Sequence, residues 1–356
     1  MSKDSRPARA GHRPRPFVAR FATLIMPIIA LLHATAAAPL LAAGTDTGSG
    51  RSIARPVDFW AEHEDDEAFM GVRLHGAIKI NPVEIDGLRV AGLSALAYDE
   101  DEDILYAASD RGVLFHFRPL VRDGHLRDLV GLAAYRLQDP GARAPGVGSD
   151  AEGMEIVNGR NGQRGDARLV VSFERQPRVL LFTPQGRVDG RLVLPPGLDR
   201  NRYFRNRNAG IESITLHPRH GWLAAPEKAK SAEGAQIVPL RTLDGRNSWP
   251  YRLADEPNAA LVALEAWPDG RLLALERAYG PLYLPIVNTL RLVRLAETNG
   301  AAPSIETVAR FDSSRGWLAD NFEGLTRYKA QDFFIVSDDN ENILQANLLV
   351  YLELLR

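Results

Sequence analysis

Glu152-Gly153-Met154, Glu212-Ser213-Ile214 and Glu323-Gly324-Leu325 repeat one pattern, an acid followed by a small residue and then an apolar one. Each lies 15 to 22 residues before a second polar knot: Ser172-Phe173-Glu174-Arg175, Pro226-Glu227-Lys228 and Ser337-Asp338-Asp339-Asn340. Two weaker copies fill the gaps. Ser94-Ala95-Leu96 precedes Ser109-Asp110-Arg111-Gly112, and Leu264-Glu265-Ala266 precedes Leu275-Glu276-Arg277. The second knots fall at 110, 174, 227, 276 and 338, so the spacings are 64, 53, 49 and 62 residues. A loose period of about 50 residues built from short strands is the signature of a propeller rather than of a helical repeat.

The texture around the repeat agrees. Val72 to Ile80 alternates apolar and polar at period two, and Ile104 to Ser109, Val113 to Phe117, Leu169 to Phe173, Val179 to Phe182 and Phe333 to Ser337 are short apolar runs. Pro-Gln-Gly at 184–186 and Pro-Asp-Gly at 268–270 supply the dihedrals that tight reversals between such runs need. No segment of the body keeps a helical period over a dozen residues. The fold class is therefore all-β, a β-propeller with five or six blades, six being preferred. Pairing the strand at Val72–Ile80 with the last strand, Leu348–Leu354, closes the ring and hides both edges.

Residues 1–43 read as a signal peptide. A basic leader (Lys3, Arg6, Arg9, Arg13, Arg15, Arg20) precedes an apolar run from Phe21 to Ala43 that ends in small residues. The rival reading is an uncleaved segment that anchors the protein. Residues 44–68 are polar and acidic and read as a linker, which leaves 69–356 as the propeller domain. Cleavage leaves 37 basic against 44 acidic residues, a net charge near −7 in an exported, periplasmic or extracellular body. Such a charge excludes nucleic acid as a partner and gives the body no attraction to an anionic membrane. The chain has no cysteine, so disulfides, thiolate nucleophiles and zinc–sulfur centres are excluded.

In a propeller the inner strands line a central channel, and equivalent positions of successive blades reach one height. Glu152, Glu212 and Glu323 are then expected together at one mouth as catalytic carboxylates. Asp110, Glu174, Glu227, Glu276 and Asp338 are expected around them as candidate metal ligands, since an oxygen-only donor set suits Ca²⁺. Arg111, Arg175, Lys228 and Arg277 follow those acids directly and are expected to balance their charge or bind an anionic substrate. The competing reading for each acid is structural, through backbone amides or ion pairs between blades.

Rival chemistries are poorly served. Arg219-His220-Gly221 lacks the further arginine of a histidine acid phosphatase, Leu223 standing there instead, and reads as a turn. Gly92-Leu93-Ser94-Ala95-Leu96 lacks the second glycine of a nucleophile elbow.

Taken in order, Gly92 to Tyr98 with Ser109-Asp110-Arg111-Gly112, Asp150-Ala151-Glu152-Gly153, Asn208-Ala209-Gly210-Ile211-Glu212-Ser213, Leu275-Glu276-Arg277, Asn321 to Leu325 and Ser337 to Asn340 resemble the bacterial phytase-like domain, a family described as having esterase-like activity of phytase. The resemblance runs from about Leu88 to the C-terminus. Ser94-Ala95 stands where the family usually has Ser-Gly, and Glu212-Ser213 where it often has Glu-Gly. It implies an exported propeller that hydrolyses a small phosphoester or carboxylester. The alternatives are a non-catalytic envelope propeller that binds a ligand or partner, and a calcium-dependent lactonase.

Overall fold

A computed structural model describes residues 50–61, 66–138, 150–174, 176–196, 198, 210–228, 236–280, 284–340, 342 and 345–355. Twenty-five strands run through them, and one short 3₁₀ turn, Ser313–Arg315, is the only helical piece among the described residues.

The chain begins with β1 (Arg51–Ser52), β2 (Ala54–Val57), β3 (Ala68–Phe69) and β4 (Val72–Ile80), then a small hairpin of β5 (Glu84–Ile85) and β6 (Leu88–Arg89). Blade 1 follows as β7 (Leu93–Asp99), β8 (Ile104–Ser109), β9 (Val113–Arg122) and β10 (His125–Arg136), with β1 on its outer edge. Blade 2 is β11 (Ala151–Val157), β12 (Arg168–Phe173), β13 (Arg178–Phe182) and β14 (Val188–Leu192). Blade 3 is β15 (Ile211–His217), β16 (Gly221–Pro226), β17 (Ile237–Thr242) and β18 (Ser248–Arg252). Blade 4 is β19 (Ala259–Ala266), β20 (Arg271–Ala278), β21 (Val287–Arg294) and β22 (Ser304–Asp312). Blade 5 joins both ends of the chain: β23 (Phe322–Arg327), β24 (Asp332–Ser337) and β25 (Leu348–Leu354) continue into β4 and β2.

There are five blades, not the preferred six. The strands that a sixth blade would have needed, β2 and β4, are spent on completing blade 5. β4 pairs antiparallel with β25 from Val72↔Leu354 to Lys79↔Leu348, the ring closure expected from the sequence. The same finding corrects the boundary at 69. Residues 51–57 are strands β1 and β2 rather than linker, paired with β10 and β4. Ile53 and Phe59 are buried, and Phe59 packs edge-on against Phe311, Trp317 and Phe322. The polar composition of 44–68 concealed these few apolar anchors. The leader, residues 1–43, lies outside the described residues.

Each inner strand, β7, β11, β15, β19 and β23, packs against the next, and β23 returns to β7. Five apolar cores fill the wedges between successive blades. Leu169, Val171 and Phe173 meet Ala95 and Tyr106 between blades 1 and 2, and Leu223, Trp249 and Leu261 meet between blades 3 and 4. The inner strands are nearly all apolar because both of their faces are covered by neighbouring blades.

Candidate functional site

The register slips by one residue at the same point of every inner strand: between Leu93 and Ala95, Ala151 and Gly153, Ile211 and Ser213, Leu261 and Ala263, and Phe322 and Gly324. The bulged residues are Ser94, Glu152, Glu212, Val262 and Glu323. A bulge leaves one residue outside the ladder and re-aims its side chain. Here it turns three glutamates toward the axis. The residue after each bulge is small (Ala95, Gly153, Ser213, Ala263, Gly324) because neighbouring inner strands pass close by. A Cβ on Gly153 would sit 2.7 Å from the Glu212 carbonyl oxygen of β15, and one on Gly324 would sit 3.1 Å from Leu96 Cγ and 3.2 Å from Ala95 C of β7.

The partner strands place a second ring. Ser109, Phe173, Pro226, Glu276 and Ser337 face the residue just before each bulge. The next residues, Asp110, Glu174, Glu227, Arg277 and Asp338, are therefore equivalent. The expected metal ligand Glu276 is out of step with this set. It is buried on the other side of its strand, where it accepts hydrogen bonds from the Tyr251 hydroxyl and from Ala254 N at 2.7 Å, with Arg291 Nη1 at 3.3 Å. Blade 4 thus gives the ring an arginine where the other four give an acid.

Arg277 is the hub of the site. Its Nη1 donates to Glu323 Oε1 and to Asn321 Oδ1, and its Nη2 to Glu227 Oε1 at 3.1 Å. Asn321 Nδ2 in turn donates to Glu323 Oε1 at 3.0 Å. Lys228 Nζ stands 3.7 Å from Glu227 Oε1. Arg111 is exposed at the rim, beside Asp110, and Arg175 lies outside the described residues. Glu152, Glu212 and Glu323 line one narrow channel with Gly153, Ser213 and Gly324, and the free space on the axis, about 10 Å³ for the centre of a water molecule, holds roughly one water. The side chains of Glu323 and Arg277 keep 16% and 15% of their surface, so the site is deep but wet.

Seven carboxylates share this mouth with one central guanidinium. Burial first, then repulsion from Glu212, Glu323, Glu174 and Asp110, pushes Glu152 well above the usual carboxylate range. Glu212 is pushed up likewise by burial and by Glu227, Glu174 and Glu323, with Arg277 opposing. Burial raises Glu323 too, but Arg277 and Asn321 pull it back. Asp338 is pushed up to about 7 by burial and Glu323. Arg277 is held above its ordinary value by Glu323, Glu227 and Glu212 against the effect of burial.

The donor chemistry suits Ca²⁺, but the geometry does not: among the described residues no three acidic or histidine side chains converge to hold a metal ion. Arg277 fills the place where such a cation would balance the acids. His217, the histidine nearest in sequence to Glu212, is remote in function. It sits at the far end of β15, its ring bonded to Gly270 O at 3.0 Å and to the amides of Arg219 and His220 at 3.2 Å each. Arg219-His220-Gly221 forms the expected turn into a strand. Tyr251 escaped the sequence reading altogether. Nothing marks a tyrosine on an outer strand as the partner of an acid in the repeat.

The sequence model of the phytase-like family, described as "Esterase-like activity of phytase", matches residues 88–341. No curated protein matches the chain. Among solved structures the chain is similar to the Dos1 propeller at 12% identity, covering 78% of this chain and 73% of that one, with a TM-score of 0.35. It is similar to the β-propeller domain of Myceliophteria thermophila Cps50 (Swd1) at 10% identity, covering 85% and 99%, with a TM-score of 0.38. A chain of the COPII outer coat vertex on membranes gives 11%, 81% and 78%, and 0.36.

Proposed function

The chain belongs to the phytase-like family, and from that premise we propose that it hydrolyses a small carboxylester, lactones included, by paired carboxyl groups at the acidic mouth of the channel. The observation that carries this reading is the unequal treatment of two bulge glutamates. Glu323 is gripped by Arg277 and Asn321, which favour its ionised form. Among the described residues Glu152 has no such partner, and burial with repulsion from its acidic neighbours favours its protonated form. Two carboxyls pushed apart in acidity are an acid and a base. Glu323 takes a proton from water as the water oxygen attacks the ester carbonyl. Glu152 gives its proton to the departing alcohol oxygen as the C–O bond breaks. The products are a carboxylic acid and an alcohol, and proton transfer with free solvent restores both glutamates.

Electrostatics choose between ester classes. A phosphomonoester brings a dianion to a mouth with seven acids and one arginine already engaged by two of them, whereas an uncharged carboxylester meets no such repulsion. The excess of acids favours one second reading, in which added Ca²⁺ lets phosphoesters bind. Its donor geometry would have to form on binding.

The test is turnover of p-nitrophenyl acetate, a δ-lactone and p-nitrophenyl phosphate, each with Ca²⁺ and with chelator. The proposal expects the acetate or the lactone to turn over whatever the calcium level. Turnover of phosphate alone, and only with calcium, hands the site to the second reading. No turnover of any substrate, with the fold intact, leaves a ligand-binding propeller. We further propose that the protein works outside the cytoplasm, on the strength of the leader at 1–43. Fractionation of cells with an N-terminal sequence of the processed protein checks it.

A further inference from the structure

The far ends of the inner strands, away from the acid ring, surround an open cavity of about 270 Å³ whose polar lining is Glu155, Asn158, Arg160, Asn161, Glu265 and Arg327. Two of the charged groups are already committed. Glu155 accepts from Ile156 N at 2.8 Å through Oε1, and from Thr215 Oγ1 at 2.8 Å and Leu216 N at 3.1 Å through Oε2. Arg160 donates to Glu100 Oε2 and Tyr328 O at 2.9 Å each, and to the Arg327 carbonyl. The guanidinium of Arg327 is different. Its Nε is shut away from solvent with no hydrogen-bond partner among the described residues, and the carboxylates of Glu265, Glu100 and Glu155 act on the group without pairing with it. A buried donor without an acceptor is costly, and in native proteins it calls for an explanation.

We propose that this mouth is a second binding site, separate from the acid ring, for a short aliphatic monocarboxylate seated on the fork of Arg327. A planar guanidinium matches a carboxylate through two parallel N–H···O bonds. Glu265 supplies the next contact. It is buried, with 8% of its surface exposed, and burial with the neighbouring Glu155 charge pushes its carboxyl up to about 8. A carboxyl that keeps its proton can donate to an anion instead of repelling it. Ile156, Leu216 and Ala266 give the cavity an apolar side, and Leu216 is an exposed large side chain. That side suits an alkyl tail and disfavours inorganic phosphate. The site stands whether or not the opposite mouth is catalytic.

The experiment is titration calorimetry of the whole protein at pH 6 with butyrate, inorganic phosphate and butylamine as probes. Butyrate is expected to bind one to one and more tightly than phosphate, and butylamine not at all. Arg327→Gln should weaken butyrate at least tenfold. Arg327→Lys, which keeps the charge but loses the fork, should also weaken it and guards against a misfolded Gln variant. Glu265 is faced by Glu155 from β11, Arg160 from the hairpin after it and Arg327 from β23. Butyrate affinity should therefore hold from pH 6 to 7 and fall above about 8 as Glu265 ionises, and Glu265→Gln should abolish that fall. No heat with butyrate, wild-type affinity in both Arg327 variants, or a preference for butylamine would overturn the proposal.

Discussion

On the proposed mechanism, replacing Glu152 by Gln removes the proton donor, a carboxyl that burial and its acidic neighbours push well above the usual range. Turnover of a carboxylester should fall by roughly 10²- to 10⁴-fold, as loss of a general acid does. Stability should move the other way. The folded pKa of Glu152 lies above its unfolded value near 4.5, so its contribution is full below that value and is lost as pH rises through the folded pKa. Gln does not titrate. The melting temperature of the variant relative to wild type should thus improve from pH 5 to pH 8, which differential scanning calorimetry reads directly. Arg277→Met carries the opposite sign. It strands Glu227 and Glu323 in a deep site, and breaking such a pair costs about 3–5 kcal/mol in urea unfolding at pH 8. The loss should shrink as the pH is lowered, because without Arg277 burial and the neighbouring Glu227 favour protonation of Glu323. The acids of the repeat were legible one by one in the sequence. Their assignment in blade 4 was not. Glu276 and Arg277 are adjacent, strand alternation sends adjacent side chains to opposite faces, and only the register of β19 on β20 says which of them meets the axis.

Five bulges at one height are what turn the inner strands from plain walls into an axis-facing ring. Each costs one ladder position and is accompanied by a small residue, since the next blade's backbone crosses there. Gly153→Ala tests this directly. The added Cβ would meet Ser172 Oγ at 2.6 Å and backbone atoms of β15 at 2.7 and 3.2 Å, and the backbone cannot swing aside. A loss of about 1–3 kcal/mol is expected from such overpacking. Gly162→Ala, which meets nothing within 4 Å, controls for the lost glycine, although its φ of +78° adds a small strain of its own. Ser94 and Val262 occupy the remaining two bulges. Ser94 Oγ donates to Gly92 O at 3.2 Å, and Val262 joins the core between blades 4 and 5. Taking Glu265 as the blade 4 counterpart of Glu152 misses by three residues. It lies on the same strand as Val262 but at the other mouth. A loose repeat cannot fix register to one residue, and one residue decides which face a strand side chain takes.

Across the whole molecule, stability depends on two devices that join the chain's ends. The first is the β4–β25 pairing. Removing residues 348–356 should leave β4 and β24 as open edges, replace a cooperatively folded protein by aggregating material and abolish its near-ultraviolet circular dichroism. The second is an aromatic cluster in which Phe59, Trp60 and Phe69 from the N-terminal segment pack on Phe311 of β22 and on Trp317 in the connection from blade 4 to blade 5. Phe59 is buried there with its 1% exposure, so Phe59→Ala should cost about 3–5 kcal/mol in chemical unfolding, well outside the acid ring and without loss of turnover under folding conditions. Residues 44–68 read as a linker because two aromatics, Phe59 and Trp60, among many polar residues make no period. Their burial depends on a groove that exists only once blade 5 has closed.

What the amino-acid order settled alone was the class of architecture and the acids of the ring, because strand period, turn chemistry and a recurring carboxylate are local signals. The number of blades, the arginine at the centre of the site and the second mouth were decided by packing in three dimensions. Each depends on which strands pair and in which register, and pairing energies are shared between segments hundreds of residues apart.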